Sequence, residues 1–115
     1  MAERPPQVKN VPRNLKPYFL GLLEKGPRWN ETDGSETLLP QQLAFLRAQI
    51  ESRKYLVAGP VMDEDRYAGM MIIAAPNLME ARRIASEDPG VKTGRLTVEL
   101  HPVFLPSLDS LKVEY

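Results

Sequence analysis

The alternation of apolar and polar positions along this chain predicts four strands. The first follows a nearly continuous apolar run that stops at Gly26-Pro27, a pair that interrupts regular structure. In the last, Leu96, Val98 and Leu100 alternate with polar residues, which is the period of a half-buried strand. The predicted strands cover residues 16–24, 55–61, 67–75 and 95–104.

One stripe of apolar residues predicts a helix over residues 37–53, between the first two strands. Its members are Leu39, Leu43, Leu46 and Ile50. Because each helical residue advances by about 100°, Gln42 projects roughly 60° from the centre of the stripe. We therefore expect Gln42 at the edge of the buried face, where it can face a cavity.

A second helix is predicted to begin at Asn77, because Glu80 follows three residues later as in a capping box. It is predicted to end at Asp88-Pro89-Gly90, since the residue before a proline disfavours helical geometry. The short connection at residues 63–65 predicts antiparallel pairing of the second and third strands.

The order strand, helix, strand, strand, helix, strand predicts an α+β fold of the ferredoxin-like type, with both helices on one face of an antiparallel sheet. We expect an N-terminal arm at residues 1–14, the folded domain at 15–105 and a tail at 106–115 that could add an edge strand. The first three strands are apolar on both sides, so the other sheet face also needs cover. A homodimer would supply it.

Composition and charge indicate one soluble domain. At 115 residues the chain can bury a core, and its 15 basic and 15 acidic residues leave no net charge. We therefore expect neither nucleic-acid nor membrane binding. The absence of cysteine excludes disulfides, thiolate metal sites and a cysteine nucleophile. No apolar run could span a bilayer and no secretory signal is visible, so we expect a cytoplasmic protein.

Several short strings, in this order and spacing, resemble the YCII-related family. They are Gly26-Pro27-Arg28-Trp29, Leu-Val-Ala-Gly-Pro at 56–60, Asp88-Pro89 followed by Gly94-Arg95, and Glu-Leu-His-Pro at 99–102. The resemblance covers residues 16–105 and implies a dimeric α+β barrel of ferredoxin-like subunits. It also implies an active-site dyad, formed by a histidine at the start of the first helix and the aspartate of the Asp-Pro pair. Some members are similar to dehydrochlorinases or lyases that act on small hydroxylated aromatics.

This chain departs from that pattern at one position. The aspartate of the dyad matches Asp88, but the histidine position is occupied by Gln42. A carboxamide donates and accepts hydrogen bonds but does not take up a proton near neutral pH, as an imidazole does. General acid–base catalysis contributes roughly a hundred- to ten-thousand-fold in rate. The substitution therefore predicts that the implied proton transfer is impaired or follows another route.

The remaining candidates each have a functional and a structural interpretation. Asp88 could be a general base whose pKa is raised by burial, or a turn residue bonded to nearby backbone. Gln42 could orient a ligand, or be a boundary residue of an amphipathic helix.

His101, the only histidine, could form a substitute acid–base pair with Glu99 in a cavity between two sheets, or be a hydrogen-bonded residue at a strand end. Because it stands alone, a zinc site is not expected. The sequence also has no phosphate-loop or dinucleotide fingerprint, so we expect no cofactor. Arg28 and Trp29 could form a lid over a planar ligand, or Trp29 could close the end of the core.

Three hypotheses follow. The first is an enzyme of lyase or isomerase type that binds a small polar or aromatic ligand, with Asp88 and His101 as catalytic groups. In it Gln42, Arg28, Trp29 and Glu99 position the ligand. The second is a dimeric binding module that lost the dyad, and the third is a purely structural protein.

Overall fold

The computed structural model describes residues 13–32, 35–63 and 65–114, and within the first helix it describes side chains from residue 38 onward. The expected arm at 1–14 lies outside the described residues except for Arg13 and Asn14. In chain order the elements are β1 (Leu15–Lys25), α1 (Ser35–Glu51), β2 (Tyr55–Pro60), β3 (Tyr67–Ile73), α2 (Leu78–Ala85), α3 (Pro89–Lys92) and β4 (Leu96–Pro106).

The four strands form one antiparallel sheet in the order β2-β3-β1-β4. This order and the helices between the strands confirm the predicted ferredoxin-like α+β fold. In the centre of the sheet Leu22 lies opposite Met70 on one side and Glu99 on the other. Because cross-strand partners point to the same face, these three side chains share a face, and the neighbouring residues of each strand point to the other.

The core lies between the sheet and the helices. Tyr55, Met71 and Ile73 extend from the strands into it and are fully or almost fully buried. Ile50 from α1 and Ile84 from α2 pack against them. Full burial of an aliphatic side chain stabilises the fold by about 1.5–3 kcal/mol, so this layer fixes the helices on one face.

The predicted end of the second helix is wrong in detail. Asn77 caps α2 as expected by accepting a hydrogen bond from the backbone N–H of Glu80 at 2.8 Å, but α2 already ends at Ala85. Asp88 is instead the N-cap of the short helix α3. Pro89 is tolerated in its first turn, where a helix leaves backbone N–H groups without intrahelical partners, so the same residues begin a helix.

The opposite sheet face, here called the open face, is only partly covered. Tyr18, Leu56 and Ile72 are buried there, and Leu20 and Met70 are among the partly buried residues around them. Part of this cover comes from the chain itself, because residues after β4 run back across the end of the sheet.

β4 extends to Pro106, and the described residues after it, 107–114, form no further strand. The backbone N–H of Leu108 donates to the Tyr18 hydroxyl at 2.9 Å, and the Arg53 guanidinium donates to the carbonyl oxygen of Asp109 at 2.8 Å. The tail therefore packs on its own sheet, whereas an edge strand was one expectation from the sequence.

Candidate ligand pocket

A cavity of about 620 Å³ lies between α1 and the helix-covered face of the sheet. Along α1 the apolar stripe becomes more exposed toward the N-terminus: Ile50 is buried and Leu46 half-buried, whereas Leu43 is 48% and Leu39 63% exposed. All of these except Ile50 line the cavity. The predicted stripe therefore packs on the core only at its C-terminal end, and its N-terminal half forms the wall of a pocket.

Most of the pocket wall is apolar. Leu23, Ala58, Met71 and Leu96 form much of its floor, and Trp29 lies at its side in the loop after β1. The charged or polar side chains in the wall are Glu31, Gln42 and Arg95. The space has the size and character of a small-molecule site, which is concave, mainly apolar and supplied with few polar groups.

Gln42 and Asp88 meet beside this pocket. The Gln42 Nε2 donates to Asp88 Oδ2 at 2.6 Å, and the backbone N–H of Gly90 donates to Asp88 Oδ1 at 2.7 Å. The same N–H also lies 3.3 Å from Gln42 Oε1, which supports this orientation of the amide. The structure thus joins the two residues that the resemblance pairs, although they are 46 positions apart.

The Asp88 carboxyl is fully buried, with 0% of the residue exposed. Burial raises its pKa from the ordinary value of 3.8, because desolvation disfavours the charged form. Hydrogen bonds from Gln42 and from the backbone of Gly90 and Val91 act in the opposite direction but are outweighed. Gln42, which is only half-buried, lies at the pocket wall, so it separates Asp88 from the pocket.

Glycine is required where α3 approaches the pocket. A Cβ on Gly90 would lie 2.5 Å from Leu96 Cδ1, well inside van der Waals contact. Gly94 has a φ of +78°, a conformation that side chains rarely adopt. The missing side chain of Gly90 therefore lets the Asp88 turn pack against Leu96 at the start of β4, and Gly94 allows the left-handed turn that precedes Arg95.

Tyr55 is a further buried polar residue on this side of the sheet. Its hydroxyl has no hydrogen-bond partner among the described residues, and its ring packs edge-on against Phe45 with centroids 5.9 Å apart. Burial and then the charge of Asp88 raise the pKa of Tyr55 well above its usual range. Tyr55 is therefore neutral in the core, and the negative charge of Asp88 adds to the effect of burial in opposing its deprotonation.

His101 and Glu99 lie on the open face, because they are the β4 partners of Leu20 and Leu22. The imidazole Nε2 is 2.9 Å from Glu99 Oε2, and Arg66 Nη2 lies 3.4 Å from Glu99 Oε1. The hydrogen bond to His101 lowers the pKa of Glu99. The sheet therefore separates this pair from Asp88 and Gln42, and the expected grouping of Asp88 with His101 is not formed within the chain.

Arg28 and Trp29 take different positions. Trp29 lines the pocket, and Lys25 Nζ lies 5.5 Å from the centre of its ring. Arg28 is not part of the pocket wall. Its Nε and Nη2 donate to Glu31 Oε1 at 2.9 and 2.7 Å, which holds the loop together.

Arg95 and Glu31 belong to the pocket although the sequence did not single them out as site residues. Arg95 is 6% exposed, and its Nε donates to the backbone oxygen of Glu31 at 3.3 Å. The sequence signal that could have pointed to Arg95 was the Gly94-Arg95 string.

The described residues contain no group of three or more histidine, cysteine, aspartate or glutamate residues placed to hold a metal ion. Within them there is also no helix with the length and apolar character needed to cross a membrane.

The YCII-related domain matches residues 19–103, which is well over half of the chain. The chain belongs to the YCII-related family. No curated protein matches it in sequence.

A solved structure supports the fold of this YCII-related protein. It is 5-chloro-2-hydroxyhydroquinone dehydrochlorinase from Burkholderia phenoliruptrix in complex with 2,5-dihydroxybenzoquinone. The match has a TM-score of 0.52 and 20% sequence identity, and it covers 71% of this chain and 90% of the other. At this identity the similarity concerns the fold alone.

Proposed function

We propose that this YCII-related protein binds a small molecule in the pocket between α1 and the sheet, without acid–base chemistry at Gln42. The observation that carries the proposal is the cavity of about 620 Å³ with Gln42 in its wall. Gln42 is joined to the buried Asp88 at 2.6 Å. A wall of this kind offers apolar area for affinity and one fixed polar group for orientation.

The contacts of Asp88 favour binding over catalysis. Both carboxylate oxygens accept hydrogen bonds from the protein, and none of the residue is exposed. A general base must reach the proton that it removes, directly or through one water. Here Gln42 lies between the carboxylate and the pocket, and its amide cannot relay a proton as an imidazole can.

A lyase- or isomerase-type enzyme is the second candidate, and one observation favours it. Burial raises the pKa of Asp88, and a raised pKa makes a carboxylate a stronger base. The structural neighbour is a dehydrochlorinase, which is compatible with a small hydroxylated aromatic substrate. In this candidate Asp88 would move the proton, and Trp29 and Gln42 would position the substrate.

The open face supports a proposal about assembly. Leu20, Leu22 and Met70 are only partly buried there, around a centre of apolar side chains. Exposed apolar area of this kind in a sheet favours association, and the lack of net charge offers little resistance to it. We therefore propose a homodimer in which two open faces pack together, with Glu99 and His101 at the contact.

A cavity-filling variant tests the binding proposal. Ala58 lines the pocket, so Ala58→Phe should fill part of it and lower the affinity for any bound small molecule at least tenfold. Ala44 is exposed on the same helix as Gln42, so Ala44→Phe is the matched control and should leave the affinity unchanged. Binding of hydroxylated aromatic and apolar compounds is measured by calorimetry. Failure of every compound to bind, or equal binding by both variants, would contradict the proposal.

A further inference from the structure

The pocket is larger and more apolar than a single aromatic ring with a few hydroxyl groups requires. Its volume of about 620 Å³ would hold about 20 non-hydrogen atoms, if each took the share of liquid volume of one water, about 30 Å³. Its apolar surface also continues to the mouth, where Leu39, Leu43 and Trp29 line the pocket and remain exposed. Because burial of apolar area provides affinity, these walls favour a ligand with an extended apolar body.

The charged side chains in the described part of the wall already have partners within the chain. Glu31 Oε1 accepts from Arg28 Nε and Nη2 at 2.9 and 2.7 Å. These bonds and the charge of Arg95 lower the pKa of Glu31, so its carboxylate is ionised between two guanidinium groups. Arg95 donates from Nε to the Glu31 backbone oxygen at 3.3 Å and has at least one further interaction. The charges of this wall therefore compensate one another.

Asp88 does not provide a partner for a charged ligand either. Its carboxylate is fully buried, and its two oxygens accept from Gln42 and from the backbone N–H of Gly90. Gln42 lies between this carboxylate and the pocket. An ionic group moved from water into an apolar space without a partner loses its hydration and gains no ion pair. The wall therefore favours an uncharged ligand over an anion or a cation.

Gln42 retains hydrogen-bonding capacity at the pocket wall. A carboxamide has two N–H donors and an oxygen with two lone pairs. One N–H donates to Asp88 Oδ2 at 2.6 Å, and Oε1 has only a long contact of 3.3 Å with the N–H of Gly90. Gln42 can therefore accept one more hydrogen bond and donate another. A hydroxyl group, which both donates and accepts, matches this pair of positions.

Met71 forms part of the floor of the pocket and depends on a glycine beneath it. Met71 lines the pocket, is 1% exposed and lies opposite Gly21 in the sheet. A Cβ on Gly21 would be 2.8 Å from Met71 Sδ, well inside van der Waals contact. The missing side chain of Gly21 therefore lets Met71 pack down onto β1, which deepens the pocket.

We infer that the pocket binds an uncharged, mainly apolar alcohol, with its hydroxyl at Gln42 and its hydrocarbon body along Leu43, Leu46 and Met71. This inference rests on the proposed binding function and specifies its ligand class. Straight-chain primary alcohols are the simplest probes of it.

Trp29 provides the measurement, because it is the only tryptophan in the chain and lies in the pocket wall. Its emission is followed while alcohols of increasing length are added at neutral pH. We expect the affinity to rise about fourfold for each added methylene, until the chain fills the pocket and the increase stops. The carboxylate and the alkylammonium of the same length should each bind at least tenfold more weakly than the alcohol.

A variant at position 42 tests where the hydroxyl binds. Gln42→Met should lower the affinity for the alcohol about fivefold and remove its advantage over the alkyl chloride of the same length. Gln41→Met, at the exposed neighbouring position, is the matched control and should leave both affinities unchanged. If Gln42→Met does not fold, the wild-type comparison of alcohol and alkyl chloride decides whether the hydroxyl is recognised.

A pair of glycine variants tests where the hydrocarbon chain ends. Gly21→Ala should displace Met71 toward the pocket, so the affinity should stop rising at a shorter alcohol than in the wild type. Gly59→Ala is the matched control, because Gly59 also lines the pocket but a Cβ there would have no heavy atom within 4 Å. An unchanged limit in Gly21→Ala would overturn the placement of the hydrocarbon chain along Met71.

The possible failures can be told apart. Binding of the carboxylate or the alkylammonium as tightly as the alcohol would overturn the preference for an uncharged ligand. Equal affinity for alcohol and alkyl chloride would overturn the hydroxyl contact. Binding of single-ring polyhydroxylated compounds as tightly as the longer alcohols would overturn the ligand class and leave the pocket proposal standing. If no probe of any class binds, or if binding persists in Ala58→Phe, the proposed function itself fails.

Discussion

At the scale of single residues, Asp88 combines two roles that the sequence left open. It caps α3 by accepting a bond from Gly90, as a turn residue would, and it is also a buried carboxyl bonded to Gln42. The two roles are compatible because a carboxylate has two oxygens, and each accepts from a different donor. The consequence is a titratable group whose charge is disfavoured by its surroundings.

The raised pKa of Asp88 predicts the direction in which the stability of the fold changes with pH. Between 3.8 and the raised pKa the folded chain binds a proton that the unfolded chain has released, so stability falls as the pH rises through this window. The penalty amounts to about 1.4 kcal/mol for each unit by which the pKa is raised. We expect the wild type to lose stability relative to Asp88→Asn as the pH rises toward neutrality, as measured by urea unfolding at each pH.

Asp63 provides a control in which stability should change with pH in the opposite direction. Its exposed carboxylate accepts hydrogen bonds from the backbone N–H groups of Asp65 and Arg66, which lower its pKa. The wild type should therefore lose stability relative to Asp63→Asn as the pH falls through that lowered pKa. Parallel pH profiles for the wild type and Asp88→Asn would show that Asp88 is not protonated more readily in the folded chain.

The second residue-scale prediction concerns Gln42. If the carboxamide alone prevents proton transfer, Gln42→His should gain roughly a hundred- to ten-thousand-fold in turnover over the wild type, tested on a panel of hydroxylated and halogenated aromatics. The imidazole would lie within reach of Asp88, which already contacts position 42. Gln41→His, at the exposed neighbouring position, should gain nothing. Retained binding without any turnover in Gln42→His would mean that the pocket itself has diverged from catalysis.

At the scale of elements, α1 and the tail each serve two surfaces. The C-terminal end of α1 belongs to the core, whereas its N-terminal half forms the pocket wall with Leu39 and Leu43 exposed. The tail after β4 covers part of the open face through Leu108. Arg53, just after α1, binds the tail through several backbone oxygens, so it links the end of the first helix to the end of the chain.

This link can be tested by removing the guanidinium. Arg53→Met should lower the free energy of unfolding by about 1 kcal/mol, because it removes partly exposed hydrogen bonds to the tail. It should also speed proteolysis of the residues after Pro106, which limited digestion and mass spectrometry would detect. Arg82→Met serves as the exposed control. Unchanged cleavage of the tail in Arg53→Met would show that other contacts hold it.

At the scale of the whole molecule, the two faces of the sheet differ in what they carry. One face carries the helices, the core and the pocket. The other is an apolar surface that also carries the charged cluster of Glu24, Arg66, Glu99 and His101. The proposed ligand and the proposed partner copy therefore use opposite sides of one sheet. Disturbing the open face should affect association before it affects ligand binding.

A charge placed on the open face tests the assembly. Leu22 lies at its centre between Met70 and Glu99, so Leu22→Glu should weaken self-association at least tenfold, since it would bury an unpaired charge. Sedimentation at micromolar concentration measures the effect, and Ala44→Glu on the exposed side of α1 is the control. Ligand affinity should remain within a few-fold in both variants. A wild-type protein that sediments as a monomer would contradict the dimer.

The sequence by itself determined the four strands, the first helix, the start of the second helix and the fold class. Period-two and helical spacings are local, and each follows from the direction in which successive side chains point, so β1, α1 and β4 were predicted to within a few residues. The pairing of Gln42 with Asp88 was also accessible, but only through resemblance, because nothing local connects positions 46 apart.

Only the tertiary structure decided which face of the sheet holds the site. Alternation shows that His101 and Leu100 point to opposite sides, but the position of Asp88 relative to them depends on how α3 packs. The exposure of Leu39 and Leu43 on α1 could not be predicted either, because an apolar stripe has the same spacing whether it contacts a core or a cavity. Burial of a residue depends on which distant parts of the chain pack against it, and the local pattern of apolar and polar residues does not specify those contacts.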